Sequence, residues 1–354
     1  MKFFAASTQN QFLQISICPV TFACCGAASY PKRTAWLLAL ILLTIVCRPW
    51  RLEAIDNIRI AYPSTSFTTM PILTATKFGL YQQEGMRPEL ILMRPNISVT
   101  AVVTGQVEFA TAHGSIVRAA AQGMPVKSLM VVADRPAYYL VAKAGVNSVG
   151  ALRGRSVGIA SLGGSVHLMT KEFMVQNNLD ADKNVALVVT GDHNTSIQAI
   201  QNGHVDAAVI SVPWQTVAEK AGLRKLAYFG DVMRLPMAGL GASDENIAKK
   251  PDLLRRAVRA TLRGIDFLRD AKNKKEVAGI MVEWFKIRFE QAQEAYGQMV
   301  EAYPPNGVVA DEVLEKDLEI ARQTGAIKNR VALSRVVDFQ FVKEARNELS
   351  GKKP

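Results

Sequence analysis

The sequence predicts an α/β protein of two similar lobes, each built on a largely parallel sheet. Three observations lead there. From Ile55 onward, short β-rich runs alternate with amphipathic helical stretches, the pattern of parallel sheets covered by helices. The chain has 354 residues and 49% hydrophobic content, enough for two compact domains rather than one. Finally, Ala101–Ala110 (AVVTGQVEFA) is echoed by Ala199–Ala208 (AIQNGHVDAA). Both read as helix end, glycine, polar residue, valine, acid, then strand. The glycine supplies a left-handed helix stop, the valine enters the sheet, and the acid sits near the strand start. Two such lobes joined by two linking strands make a hinged clamp.

The elements of the first lobe follow in order. Ile58–Ala61 reads as a strand, and Pro63-Ser64-Thr65-Ser66 as the loop after it. Pro71 suits the first turn of a helix, where its missing N–H costs nothing, and Gly79 can end that helix. Glu89–Met93 is the second strand. Ser98 is read as the N-cap of a helix Val99–Thr104 stopped by Gly105. Val107–Ala112 is the third strand, and His113-Gly114-Ser115 leads into a helix Ile116–Gln122 closed by Gly123. Val126–Val132 and Tyr138–Ala142 are further strands.

The second lobe begins with the strand Ser156–Ala160 and the glycine loop Leu162-Gly163-Gly164-Ser165, which opens a helix ended by Asn177-Asn178. Val185–Val189 is a strand. Thr195-Ser196-Ile197-Gln198 reads as a capping box for Ile197–Asn202. Val205–Ile210, Lys225–Phe229 and Pro236–Ala242 are strands, with Trp214–Ala221 helical between the first two. From Pro251 nearly everything is helical, with a break at Tyr303–Gly307.

Net charge is +11. Residues 1–54 hold five basic residues and one acidic, leaving +7 on the body. That bias suits an anionic solute or surface. The basic residues are scattered, so nucleic acid is not expected as a partner. The densest group, Arg255, Arg256, Arg259 and Arg263, is read as a solvated helix face. All four cysteines (Cys18, Cys24, Cys25, Cys47) precede residue 55, which excludes a disulfide framework or a thiolate metal site in the body. A cysteine-free body suits an oxidising compartment.

Residues 1–54 are read as a targeting segment. Lys32-Arg33 precedes an apolar run from Ala35 to Val46, too short to span a bilayer, which needs about 20 residues. Basic flank, short apolar run and polar exit describe a secretory signal, with cleavage expected near Ala54 and the mature chain in the periplasm. Lipid anchoring through Cys47 is the less favoured route, because Thr44-Ile45-Val46 lacks the small residue expected before a lipidated cysteine.

Four segments, taken in order, resemble the nitrate/taurine/aliphatic-sulfonate class of periplasmic solute-binding proteins, which also includes thiamine-precursor binders. They are Pro71–Tyr81 with Glu84-Gly85-Met86, then Gly105–Ala110 with Ala119–Val126. Val149–Ile159 and Gly203–Ala208 with Pro213-Trp214 follow. The resemblance covers about Ile58–Phe229. It implies a type II-like periplasmic-binding-protein clamp. Lobe 1 would be 55–137 plus 237–354 and lobe 2 about 143–232, with hinge strands near 138–142 and 236–242. It also implies an ABC permease and ATPase as partners, membrane contact only through the permease or an N-terminal anchor, and no chemistry performed.

Ligands of open α/β sheets sit beyond the C-terminal ends of strands, where helix N-termini present free N–H groups and a positive dipole end. The loops there supply the candidate ligand-binding residues: Ser64, Thr65, Asn96, His113, Ser115, Gly163, Gly164, Ser165, His193 and Trp214. Ser115 and Thr195 could instead merely cap helices, and Trp214 could be an ordinary core residue. His113, His167 and His193 fall near predicted cleft loops but show no local ligand spacing, so neither metal nor cofactor is expected. His204 is placed on a surface turn. Arg94 could reach the cleft and pair with an anion.

No nucleophile elbow, HExxH, P-loop or dinucleotide fingerprint occurs. The rival reading as an enzyme is a thiamine-pyrimidine-synthase-like protein on the same fold. Such enzymes use a histidine and a cysteine-rich segment, which this body lacks. A ligand-sensing regulator would need a helix-turn-helix before Ile55, where only the targeting segment stands.

Overall fold

The computed structural model describes residues 55–351. Residues 1–54, read from the sequence as a targeting segment, and with them all four cysteines, lie outside the described residues. The described body contains two five-stranded sheets. In the first, β1 (Asp56–Tyr62), β2 (Met86–Leu92) and β3 (Phe109–Ala110) run parallel. In the second, β6 (Arg155–Ile159), β7 (Val185–Val189) and β8 (Ala207–Ser211) do the same. The orders are β2-β1-β3-β10-β4 and β7-β6-β8-β5-β9. β4 is Val126–Ala133, β5 Tyr138–Ala142, β9 Arg224–Tyr228 and β10 Ala238–Ser243. Each sheet therefore receives its fourth strand, antiparallel, from the segment that has just arrived from the other sheet.

Tyr138–Ala142 and Pro236–Ala242 were expected to be the crossings. β5 instead pairs along its length with β8 and β9, and β10 with β4. The chain passes between the sheets at 134–137 and 229–237. Backbone ladders demand fixed neighbours for every N–H and C=O, so a fully paired strand is part of one lobe.

The helices are α1 (Met70–Lys77), α2 (Pro95–Val103), α3 (His113–Ala121), α4 (Ser165–Gln176), α5 (His193–Gln201) and α6 (Trp214–Lys220), then the single turn α7 (Phe229–Val232). α8 (Asp244–Lys249), α9 (Pro251–Arg269), α10 (Lys274–Phe285), α11 (Phe289–Glu301), α12 (Asp311–Gln323), α13 (Leu333–Val336) and α14 (Gln340–Leu349) form the C-terminal half of the helical layer. None is long and apolar enough to cross a membrane.

Two cap readings change. α2 begins at Pro95, and Ser98 lies inside it, its hydroxyl donating back to Pro95 O at 2.7 Å. α5 begins at His193, and Asp192 is its cap, accepting from Thr195 N at 2.8 Å. The N–H of Thr195 is itself an orphan donor of the first turn, satisfied by a carboxylate three residues earlier.

The repeated motif is one structural device used twice. In each copy the glycine takes a left-handed φ, +72° at Gly105 and +74° at Gly203. The acid then reaches across to a main-chain N–H of the neighbouring parallel strand. Glu108 accepts from Arg59 N at 2.7 Å, and Asp206 from Ser156 N at 3.0 Å. In return the N–H of Glu108 donates to Arg59 O and that of Asp206 to Ser156 O. Burial works against ionisation of both carboxylates. Arg59 nevertheless holds Glu108 below the usual range, and Lys143, Ser156 and Arg155 do so for Asp206.

The arginines of α9 do not form a free solvated face. Arg256 pairs with Asp56 at 2.6 Å, Arg255 with Glu344 at 2.8 Å, and Arg259 with Glu84 and Glu348. They tie α9 to the first strand and to α14. At Gly264 a Cβ would lie 2.4 Å from Pro71 O, so only glycine lets α9 approach α1 this closely.

Candidate functional site

A cavity of about 60 Å³ lies between the two sheets. Its first-lobe wall comes from loops after parallel strands: Pro63, Ser64 and Thr68 after β1, Pro95 after β2, and Ala112 and Ser115 after β3, joined by Met237. The second-lobe wall is Ala160, Ser161, Gly164, Ser165 and Val166 after β6, His193 after β7, Val209 on β8 and Tyr138 at the head of β5. Every loop involved except those at Tyr138 and Met237 leaves the C-terminal end of a parallel strand, where such sheets bind ligands.

Four helices start at this cavity. α5 is capped by Asp192, whereas α2, α3 and α4 have no side-chain cap. The first N–H groups of a helix have no partner within it. In α3 those of His113 and Ser115 bond Thr111 O and Ala112 O, and α2 starts on Pro95, which has no N–H, so α4 offers the fullest set of free donors at its positive pole. The wall itself carries no Asp, Glu, Lys or Arg. Its polar side chains are hydroxyls and the imidazole of His193. Ser64, Ser66 and Thr68 form a chain, with Oγ–Oγ 3.2 Å and then Oγ–Oγ1 2.7 Å.

His193 is the titratable nitrogen base of the wall. Its Nε2 bonds Ser211 Oγ at 2.8 Å, which leaves Nδ1 for a ligand. Burial pushes its pKa down to about 4, against the pull of Asp192, so the ring is neutral at pH 7 and can donate or accept. Tyr138 and Trp214 flank it at ring distances of 6.5 and 6.2 Å.

Five of the ten predicted residues line the cavity: Ser64, Ser115, Gly164, Ser165 and His193. Asn96 is exposed at the start of α2, its Nδ2 facing Gly163 at the rim. Gly163 is engaged by backbone alone, accepting from Arg118 Nη2 at 2.7 Å. Thr65 contributes its carbonyl to Trp214 Nε1 at 3.3 Å. Trp214 stands behind His193 rather than on the wall, because its indole is buried between His193 and Phe285. His113 is wholly buried, with Nδ1 2.8 Å from Ser128 Oγ under Gly239. The helix starts three residues earlier than predicted, which turns His113 into the sheet.

The three histidines do not converge. His113 bonds Ser128, His193 bonds Ser211, and His167 Nδ1 accepts from Gly163 N at 3.1 Å. No group of three potential metal ligands occurs among the described residues. His204 is exposed on its turn, and Arg94 is exposed beside the start of α2.

Tyr138, Thr68 and Met237 were among the wall residues missed, as was Arg118, which lies off the wall but bonds Gly163 at the rim. Arg118 had a signal: it is the single charge in the otherwise apolar run Ile116–Ala121. Tyr138 and Met237 flank the crossings, and their role depends on the two lobes meeting, which no local pattern encodes.

Comparison with known proteins fits this geometry. The family profile described as NMT1/THI5 like matches residues 66–273. The chain belongs to the NMT1/THI5-like family. A relative, the riboflavin-binding protein RibY of Chloroflexus aurantiacus, is 31% identical over 205 residues, 55% of this chain and 57% of the relative. The match thus spans little more than half of that relative's length.

The fold is shared more widely. The periplasmic nitrate-binding protein NrtA of Synechocystis superposes with a TM-score of 0.70 at 14% identity, over 84% of this chain and 89% of NrtA. The MOPS-bound alkanesulfonate-binding protein SsuA of Xanthomonas axonopodis gives 0.68 at 14% identity, over 81% and 99%. The NMT1/THI5-like match ends within the helical C-terminal part, while the shared fold continues through it.

Proposed function

We propose that this protein is the exported solute-binding component of an ABC importer. It captures a small anionic or heterocyclic solute between its lobes and delivers it to a membrane permease driven by an ATPase. One observation carries the reading. The cavity wall is divided between two sheets that the chain links by two short connections, so a solute bound there holds the lobes together. Closure about 134–137 and 229–237 is the motion this implies. The names of the relatives point the same way: they are binding proteins for nitrate, alkanesulfonate and riboflavin.

A thermal-shift screen with nitrate, alkanesulfonates and riboflavin tests the reading. A bound solute at 100 times its Kd stabilises the fold by about 2.7 kcal/mol, visible as a raised melting temperature. Small-angle scattering at the same concentration should give a smaller radius of gyration. Absence of stabilisation by any solute class counts against it.

A further inference from the structure

Arg118 is out of place by every elementary rule. It sits in the middle of α3 among the buried apolar residues Ile116, Val117, Ala119 and Ala120, and is itself only 6% exposed. Its Nη2 donates to Gly163 O of the other lobe at 2.7 Å and lies 3.4 Å from Ser115 Oγ. Its Nη1 is buried with no partner. Asp317 on α12 is buried too and acts on Arg118 through space, but among the described residues no ion pair joins Arg118 to an acid. A buried, half-satisfied guanidinium is costly, so its retention calls for an acceptor at Nη1 that Asp317 does not supply.

Ser115 and Ser165, both close to Arg118, line the cavity. A Cβ on Gly114 would lie 2.2 Å from Ser165 Oγ and 2.8 Å from Arg118 Nη1. The missing side chain at Gly114 is what lets Nη1 and Ser165, from opposite lobes, approach the same point. The uncapped N-termini of α3 and α4 flank that point.

We propose that Arg118 is the anion receptor of the site, taking a carboxylate, sulfonate or similar oxyanion group of the solute on Nη1. The same guanidinium is bonded through Nη2 to the Gly163 carbonyl, so the receptor is complete only when the lobes are closed. This inference rests on the solute-binding reading and names its ligand class. A planar fork suits the role, since one arm can hold the partner lobe while the other meets the anion.

Calorimetric titration of the full-length protein with methanesulfonate and with neutral dimethyl sulfone tests it. The wild type should bind methanesulfonate more tightly. Arg118→Met should weaken methanesulfonate by about 10- to 150-fold, as for loss of a hydrogen bond to a charged group, and leave dimethyl sulfone unchanged. Arg118→Lys keeps the charge without the fork and should fall between; it also serves if Arg118→Met does not fold. Equal wild-type affinity for the two probes, no binding of methanesulfonate, or an Arg118 variant that binds it normally overturns the proposal. Riboflavin separates the two levels: if it raises the melting temperature while methanesulfonate does nothing, solute binding stands and the anion receptor falls.

Discussion

Trp214 Nε1 donates to the main-chain oxygen of Thr65 at 3.3 Å, so an aromatic side chain at the start of α6 in the second lobe is fastened to the loop after β1 in the first. The indole also backs His193 and meets Phe285 edge-on at 6.3 Å. It acts as a strut behind the cavity rather than as its wall. Trp214→Phe keeps an aromatic body and deletes the cross-lobe bond, which is worth about 0.5–1.5 kcal/mol. The variant should fold, show a slightly larger radius of gyration by small-angle scattering, and bind solute up to about tenfold more weakly. Unchanged affinity and radius would show that this bond does not hold the lobes.

Gly114→Ala is expected to do more with less. The new methyl would collide with Ser165 Oγ and Arg118 Nη1, and both are ends of side chains that can move aside. The first lobe should therefore fold with little loss, while the Arg118–Gly163 bond is displaced. A thermal-shift assay should show near-normal apo stability and a strongly reduced response to solute. A normal response would mean that the lobes tolerate the extra atom.

Acid should destabilise the fold through two histidines. Burial pushes His193 down to about 4 against Asp192, and burial with help from Arg118 pushes His113 down to about 3. Between these values and the ordinary 6.5 the unfolded chain binds protons that the folded one does not. This stability is present above about pH 6.5 and is lost as pH falls toward 4 and 3. Asp317 opposes it: burial raises its carboxyl to about 6 despite Arg118, so its contribution is lost as pH rises from 3.8 to about 6. Two histidines outweigh one carboxyl. Urea midpoints measured from pH 7.5 down to 5 should decline, and His193→Gln should flatten the decline. A midpoint that rises on acidification would reverse the assignment.

The repeated acids are expected to be equivalent. Glu108→Ala and Asp206→Ala each orphan a strand N–H, of Arg59 and Ser156 respectively. Each should cost about 1–3 kcal/mol, read as a melting temperature lower by a few degrees. Glu108→Gln and Asp206→Asn retain an acceptor and should lose less. A large effect at one site and none at the other would mean that the two motifs only look alike.

Much of the fold was legible because its signals are local. Gly79, Gly105, Gly123 and Gly203 all take the left-handed φ at helix ends, a demand met within a few residues of chain. The echo of Ala101–Ala110 in Ala199–Ala208 carried the two-lobed plan, since identical spacing places an acid at the same point of each sheet. Cap positions were less secure. Asp192 and Thr195 both suit an N-cap, and the choice between them depended on where the preceding strand released the chain.

The strands themselves, the order of α/β units and the loops that carry Ser64, Ser115, Gly164, Ser165 and His193 were determined by sequence alone, through periodicity and turn chemistry acting over short distances. Tertiary structure alone decided which of those loops share one cavity. It turned His113 into the core, set Trp214 behind the wall and brought Arg118 up to Gly163. The first depends on how a helix packs on its own sheet and the other two on where two separate sheets meet, and the short-range forces that write a helix or a strand into sequence do not reach that far.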